Sequence, residues 1–113
     1  MPKVGRFVTD PKAGAYCQIT LDSGEKVIVN HEKGGFKGGQ LAIEVSKFMG
    51  FSSDRVFACD LDSPAGQRVL AWLTRGAEPG SLAATPLGAA VEFVKDAGTL
   101  AELKARCAGL AAS

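Results

Sequence analysis

Residues 15–30 read AYCQITLDSGEKVIVN, and their alternation decides the fold. On an extended chain Cys17, Ile19 and Leu21 fall on one side, with Tyr16, Gln18 and Thr20 on the other. A period of two, rich in β-branched and aromatic residues, marks a strand with one face buried. Asp22, Ser23 and Gly24 then favour a chain reversal through side-chain-to-backbone bonding and a permissive glycine. Alternation resumes in KVIVN (26–30), with Val27 and Val29 turned inward. Together the two runs predict a β-hairpin.

Similar patterns lie on either side. QLAIEVSKF (40–48) sets Leu41, Ile43 and Val45 against Gln40, Glu44 and Ser46, and RVFACDL (55–61) sets Val56 and Ala58 against Phe57, Cys59 and Leu61. KVGRFVT (3–9), closed by Asp10-Pro11, is read as a further strand. So many short strands with tight connections cannot leave one face bare, so they must curl up or pack beneath helices.

Helical signals follow. Ser63-Pro64 reads as a cap with a first-turn proline, and Ala65, Val69, Trp72 and Leu73 recur at helical spacing up to Gly76. Thr85-Pro86 opens a second segment carrying Leu87, Ala90, Val91 and Val94, ended by Gly98. Thr99 and Glu102 fit a capping box before a stripe of Leu100, Leu103, Cys107 and Leu110. Glu102 and Arg106 stand four apart, as a supportive ion pair would.

The expected fold is α+β within a single domain, 1–113. Residues 3–61 form a small five-stranded antiparallel β-barrel or strongly coiled sheet. Residues 63–112 form C-terminal helices that pack on it or on a partner subunit. In strand count and spacing alone, residues 3–61 resemble the SH3-like and Sm-like barrels, without a family motif. Such architectures host many activities, so the analogy implies little about function.

Composition bounds the function classes. A chain that is 46% hydrophobic and 22% charged is built to fold into a soluble globule. Thirteen basic against twelve acidic residues leave no global field to attract nucleic acid or an anionic membrane. The chain has neither a signal-peptide pattern at MPKVGRFVTD nor a run long enough to span a bilayer, and a cytoplasmic location is expected. Cys17, Cys59 and Cys107 are scattered, odd in number and set among apolar neighbours, so all three are expected to be reduced core thiols.

The most unusual stretch is NHEKGGFKGGQ (30–40), which holds the single histidine, His31, with Lys33, Gly34, Gly35, Phe36, Lys37, Gly38 and Gly39. It matches neither G-x-x-x-x-G-K-[ST] nor G-x-G-x-x-G, and it leads into a strand, so no helix dipole would stand behind a bound phosphate. It reads first as a corner whose glycines permit positive φ, and second as a ligand or partner contact. Phe36, flanked by glycines, is the residue that keeps the second reading open. Around it, Lys26, Lys33, Lys37 and Lys47 face Glu25, Glu32 and Glu44, too even a balance for a groove that tracks phosphates.

Asp60 and Asp62 in CDLDSP share one side of an extended chain and could divide acid and base roles, but helix-start chemistry explains them more simply. A lone histidine with no C-x-x-C or H-x-x-H pair predicts no metal site, and no cofactor is expected. Trp72, Leu103 and Leu110 are the candidate interface residues. The leading expectation is a non-catalytic binding or assembly module, homo-oligomeric. One alternative is a nucleic-acid-binding barrel using loop 31–39, and another is a small enzyme using His31, Asp60 and Asp62.

Overall fold

The computed structural model describes residues 1–11, 14–32, 38–46 and 52–112, with backbone only at 52 and 53. Six strands, β1 (Lys3–Val4), β2 (Val8–Asp10), β3 (Gly14–Thr20), β4 (Lys26–Glu32), β5 (Gln40–Ser46) and β6 (Ser52–Asp60), form one antiparallel sheet. Three helices follow, α1 (Pro64–Leu73), α2 (Pro86–Lys95) and α3 (Leu100–Ala111), with a 3-10 turn at Leu82–Ala84. The fold is α+β.

The predicted hairpin forms. Cys17 stands opposite Val29 and Ile19 opposite Val27, and the inner row continues from Val29 to Ile43 and on to Phe57. Cys17, Ile19, Val27, Val29, Leu41 and Ile43 are all essentially inaccessible to solvent. Each such side chain contributes roughly 1.5–3 kcal/mol by leaving water.

Two expectations about the sheet are corrected. Residues 3–9 do not make one strand. They form β1 and β2, both paired to β3, separated where the Gly5 amide bonds the Gln18 carbonyl at 2.8 Å. A Cβ at Gly5 would lie 2.9 Å from that oxygen, so the close approach needs glycine and interrupts the ladder there. Nor does the sheet close into a barrel. Its order is β1-β3-β4-β5-β6, with β2 also on β3, and no pairing joins β6 back to the first strands among the described residues. Helices cover the inner face instead. α2 lies against β3 and β4, and α1 and α3 pack on β6.

Glycine sets the spacing of that cover. A Cβ on Gly66 in α1 would meet the Asp60 carbonyl oxygen at 1.8 Å, and one on Gly88 in α2 would meet the Leu82 carbonyl oxygen at 2.0 Å. The helix starts follow the sequence signals. Ser63 accepts from the Gly66 amide at 2.9 Å, Thr85 from Gly88 at 3.1 Å and Thr99 from Glu102 at 3.1 Å. The capping box is displaced by one residue, since the Glu102 carboxylate accepts from the Gly98 amide at 2.8 Å.

A second carboxylate reaches the same helix end from the far end of the sequence. Glu25 in the β3–β4 turn accepts from the Leu100 amide at 3.1 Å and from the Ser23 hydroxyl at 2.8 Å. The Ser23 amide in turn bonds the Gly98 carbonyl at 3.1 Å. The Leu100 amide first, and the Ser23 hydroxyl second, hold the Glu25 carboxyl below its ordinary range. A depressed carboxyl stabilises the fold above its unfolded-state value, and that support disappears as pH falls through the folded-state value. Glu25→Gln should therefore melt below the parent at neutral pH, with the gap closing in acid. Melting curves at stepped pH check this, and a gap independent of pH would refute it.

Candidate functional site

The polar candidates gather at one corner, where the end of β4, the start of β5 and the β6–α1 junction meet. His31 Nε2 lies 2.5 Å from the Gly38 carbonyl oxygen. A carbonyl only accepts, so Nε2 is the donor in this bond. Gly38 and Gly39 have φ of +87° and +64°, and the Gly39 carbonyl accepts from the Leu61 amide at 2.9 Å. A Cβ on Gly38 would sit 2.9 Å from an Asp62 carboxylate oxygen. The glycine run ends by pressing bare backbone onto the strand–helix junction. Lys33, Gly34, Gly35, Phe36 and Lys37 lie outside the described residues.

Asp60 does helix-start work. Asp60 accepts from the Asp62 amide through its carboxylate at 2.9 Å, and from the Ser63 hydroxyl through its carbonyl at 2.6 Å. That hydroxyl then caps α1. The corner's groups thus hold one another in a turn, and both carboxylates are exposed. Among the described residues no three of His, Cys, Asp and Glu converge as metal ligands.

The thiols are separate from one another. All three are free. Cys17 and Cys107 are buried, and burial pushes the Cys107 thiol up to about 11 against the smaller pull of Arg106. Burial also raises Cys17 and Cys59, and the Asp60 charge adds to the effect on Cys59. Thiols held protonated in this way are poor nucleophiles.

A different kind of surface lies on the helical layer. Trp72, near the end of α1, is 38% exposed. Its ring meets Phe93 of α2 edge-on, with centroids 5.8 Å apart and planes at 80°, a favoured aromatic geometry. Arg75 lays its guanidinium 3.7 Å over the Trp72 ring and donates to the Trp72 carbonyl at 2.7 Å. Arg106 of α3 lies 4.6 Å over Phe93 and donates to the Phe93 carbonyl at 3.4 Å. The result is a ladder of cation, ring, ring and cation drawn from α1 and the turn after it, α2 and α3.

Hollows flank this ladder. One, of about 370 Å³, is lined by Arg75, Ala77, Ala83, Ala89, Asp96 and Arg106, among others. The other, of about 300 Å³, has Gly109 and Leu110 beside Trp72, Phe93 and Arg106. Neither arginine is ion-paired to a described residue, while Glu92 at the rim is held by Lys95 at 2.8 Å. Arg106 turns to Phe93 rather than to Glu102, whose carboxylate is occupied at the helix start.

Of the candidate interface residues, Trp72 alone is exposed. Leu103 at 0% and Leu110 at 4% belong to the chain's own core. Arg75, Phe93 and Arg106 were not visible as a group in the sequence. Phe93 lies off the Leu87–Val94 stripe, and no periodicity links residues on separate helices. No helix among the described residues is long and apolar enough to cross a membrane. Comparison with known protein families, with curated proteins and with solved structures gives no match.

Proposed function

We propose that the chain is a non-catalytic binding and assembly module, with the Trp72 face as its contact surface. The observation that carries this reading is the half-exposed Trp72, packed on Phe93 and flanked by two guanidiniums that hold no ion pair among the described residues. Large aromatics and arginines are the residues that most often anchor interfaces. The candidates for chemistry weigh less, because the His31 ring and the Asp60 carboxylate are engaged in turn and helix-start bonding. The nucleic-acid alternative rests on Lys33, Phe36 and Lys37, and the near-even charge balance speaks against it.

The assembly half of the proposal draws on β6. At nine residues it is the longest strand, and among the described residues it pairs only with β5. An edge with no strand beside it among the described residues is a template for another strand, and a second copy of the chain supplies one. The module would be cytoplasmic, as free thiols suit a reducing compartment. Light scattering at high micromolar concentration should find a dimer or larger species. Ala58→Lys, at an exposed position of β6, should weaken it by about tenfold through charge at the edge. A strict monomer throughout that range would remove the assembly half and leave the Trp72 face to its own test.

A further inference from the structure

Taking the Trp72 face as a contact surface, we infer that its partner is an acidic peptide segment of another protein. An apolar side chain of the segment sits in the hollow beside Gly109 and Leu110, and its carboxylates meet Arg75 and Arg106. The inference rests on the reading of this face given above and adds the chemistry of the occupant.

The guanidiniums set that chemistry. The guanidinium carbons lie 3.7 Å from the Trp72 centroid and 4.6 Å from the Phe93 centroid, and a guanidinium held over a ring can still donate from its edge. Arg75 and Arg106 each spend one donor on a main-chain carbonyl, out of five that the group carries. The remaining forks match a carboxylate in the bidentate manner. Their positions are already fixed by stacking and by the carbonyl bond, so little side-chain freedom remains to be lost on binding.

The hollows set the rest. A space of about 300 Å³ is small for a pocket but fits one or two apolar side chains. Nothing lies within 4 Å of where a Cβ on Gly109 would be, so the floor is open at that point. Around the ladder Glu92 is cancelled by Lys95, and Arg75 and Arg106 outweigh Asp96. The local balance is a small positive excess, complementary to a short acidic segment.

A nucleic acid suits this surface less well. Arg75 already covers one face of Trp72, where a base would stack. Two arginines are few for tracking a backbone.

Trp72 is the single tryptophan, so its emission reports directly on the site. The full chain is titrated with three capped peptides, Asp-Leu-Phe-Asp, its amide isostere Asn-Leu-Phe-Asn and Lys-Leu-Phe-Lys, and separately with an oligothymidine. The expected result is a saturable change with the acidic peptide, at least about tenfold tighter than with the isostere and weakened by added salt. Arg75→Gln with Arg106→Gln should abolish the acidic preference, while Gly109→Leu should close the apolar hollow and weaken all three peptides. An unchanged far-ultraviolet circular dichroism spectrum and a single cooperative melt show that both variants fold.

Equal binding of the isostere or the basic peptide would overturn the acidic assignment and leave the contact surface standing. Tighter binding of the oligothymidine would overturn it in favour of nucleic acid. Emission that shifts with protein concentration alone and blocks the peptide would overturn it in favour of a second copy. No response to any probe would overturn the inference and the contact-surface reading together.

Discussion

Gly66→Ala is expected to destabilise the protein by about 3 kcal/mol, the upper end of what overpacking costs. The added methyl would lie 1.8 Å from the Asp60 carbonyl oxygen and 2.6 Å from its carbon, and both belong to backbone that cannot swing aside. To make room, α1 must lift from β6, which also disturbs the Ser63 cap and the Asp60 turn bonded to it. Alanine's better helix propensity returns only about 1 kcal/mol of that loss. Gly88→Ala, facing the Leu82 carbonyl oxygen at 2.0 Å, should behave alike. The control is Gly109→Ala, where the space is open, and there a gain of about 0.5–1 kcal/mol is expected. Urea denaturation of the three variants separates close approach from propensity. A neutral Gly66→Ala would show that α1 does not sit on β6 as described.

The second large effect concerns Leu103. Leu103→Ala should cost about 3–4 kcal/mol, from lost transfer energy together with the cavity left behind. Leu103 is fully buried among the side chains of the common core, and α3 is otherwise anchored inward mainly by Cys107 and Leu110. Leu103→Met, which nearly conserves volume, should cost less than about 1.5 kcal/mol. The comparison also decides between core and interface. A side chain waiting for another subunit would lose less than about 0.5 kcal/mol in the monomer, as exposed positions do. Denaturant midpoints at low and high protein concentration provide the measurement.

Much of this fold was legible in the sequence because local rules and the tertiary structure agree. Cys17, Ile19, Val27 and Val29 alternate, and they are buried for the reason alternation suggests. Ser63, Thr85 and Thr99 announce helix starts because capping is a contact between near neighbours, three residues apart in each case. The features that escaped the sequence depend on elements brought together from a distance. Gly5 breaks the first strand because of an oxygen on Gln18. Glu25 reaches Leu100 across 75 residues. Arg106 passes over Glu102, four positions away, for a ring on another helix. The glycine run was read as a corner from its own chemistry, and Gly38 and Gly39 do adopt positive φ. Their packing against Asp62 could not be foreseen, because it joins two loops.

The order of elements also bears on how the chain is made. Every strand is synthesised before any of the helices that shield the inner row of Ile19, Val27, Val29 and Ile43. During elongation this oily sheet faces the ribosome exit and the chaperones around it without its lid, a period when nascent β-structure is prone to aggregate. A release after Gly76 would leave out α2 and α3 and with them the cover over β3 and β4, so truncated products are expected in the pellet while the full chain stays in the supernatant.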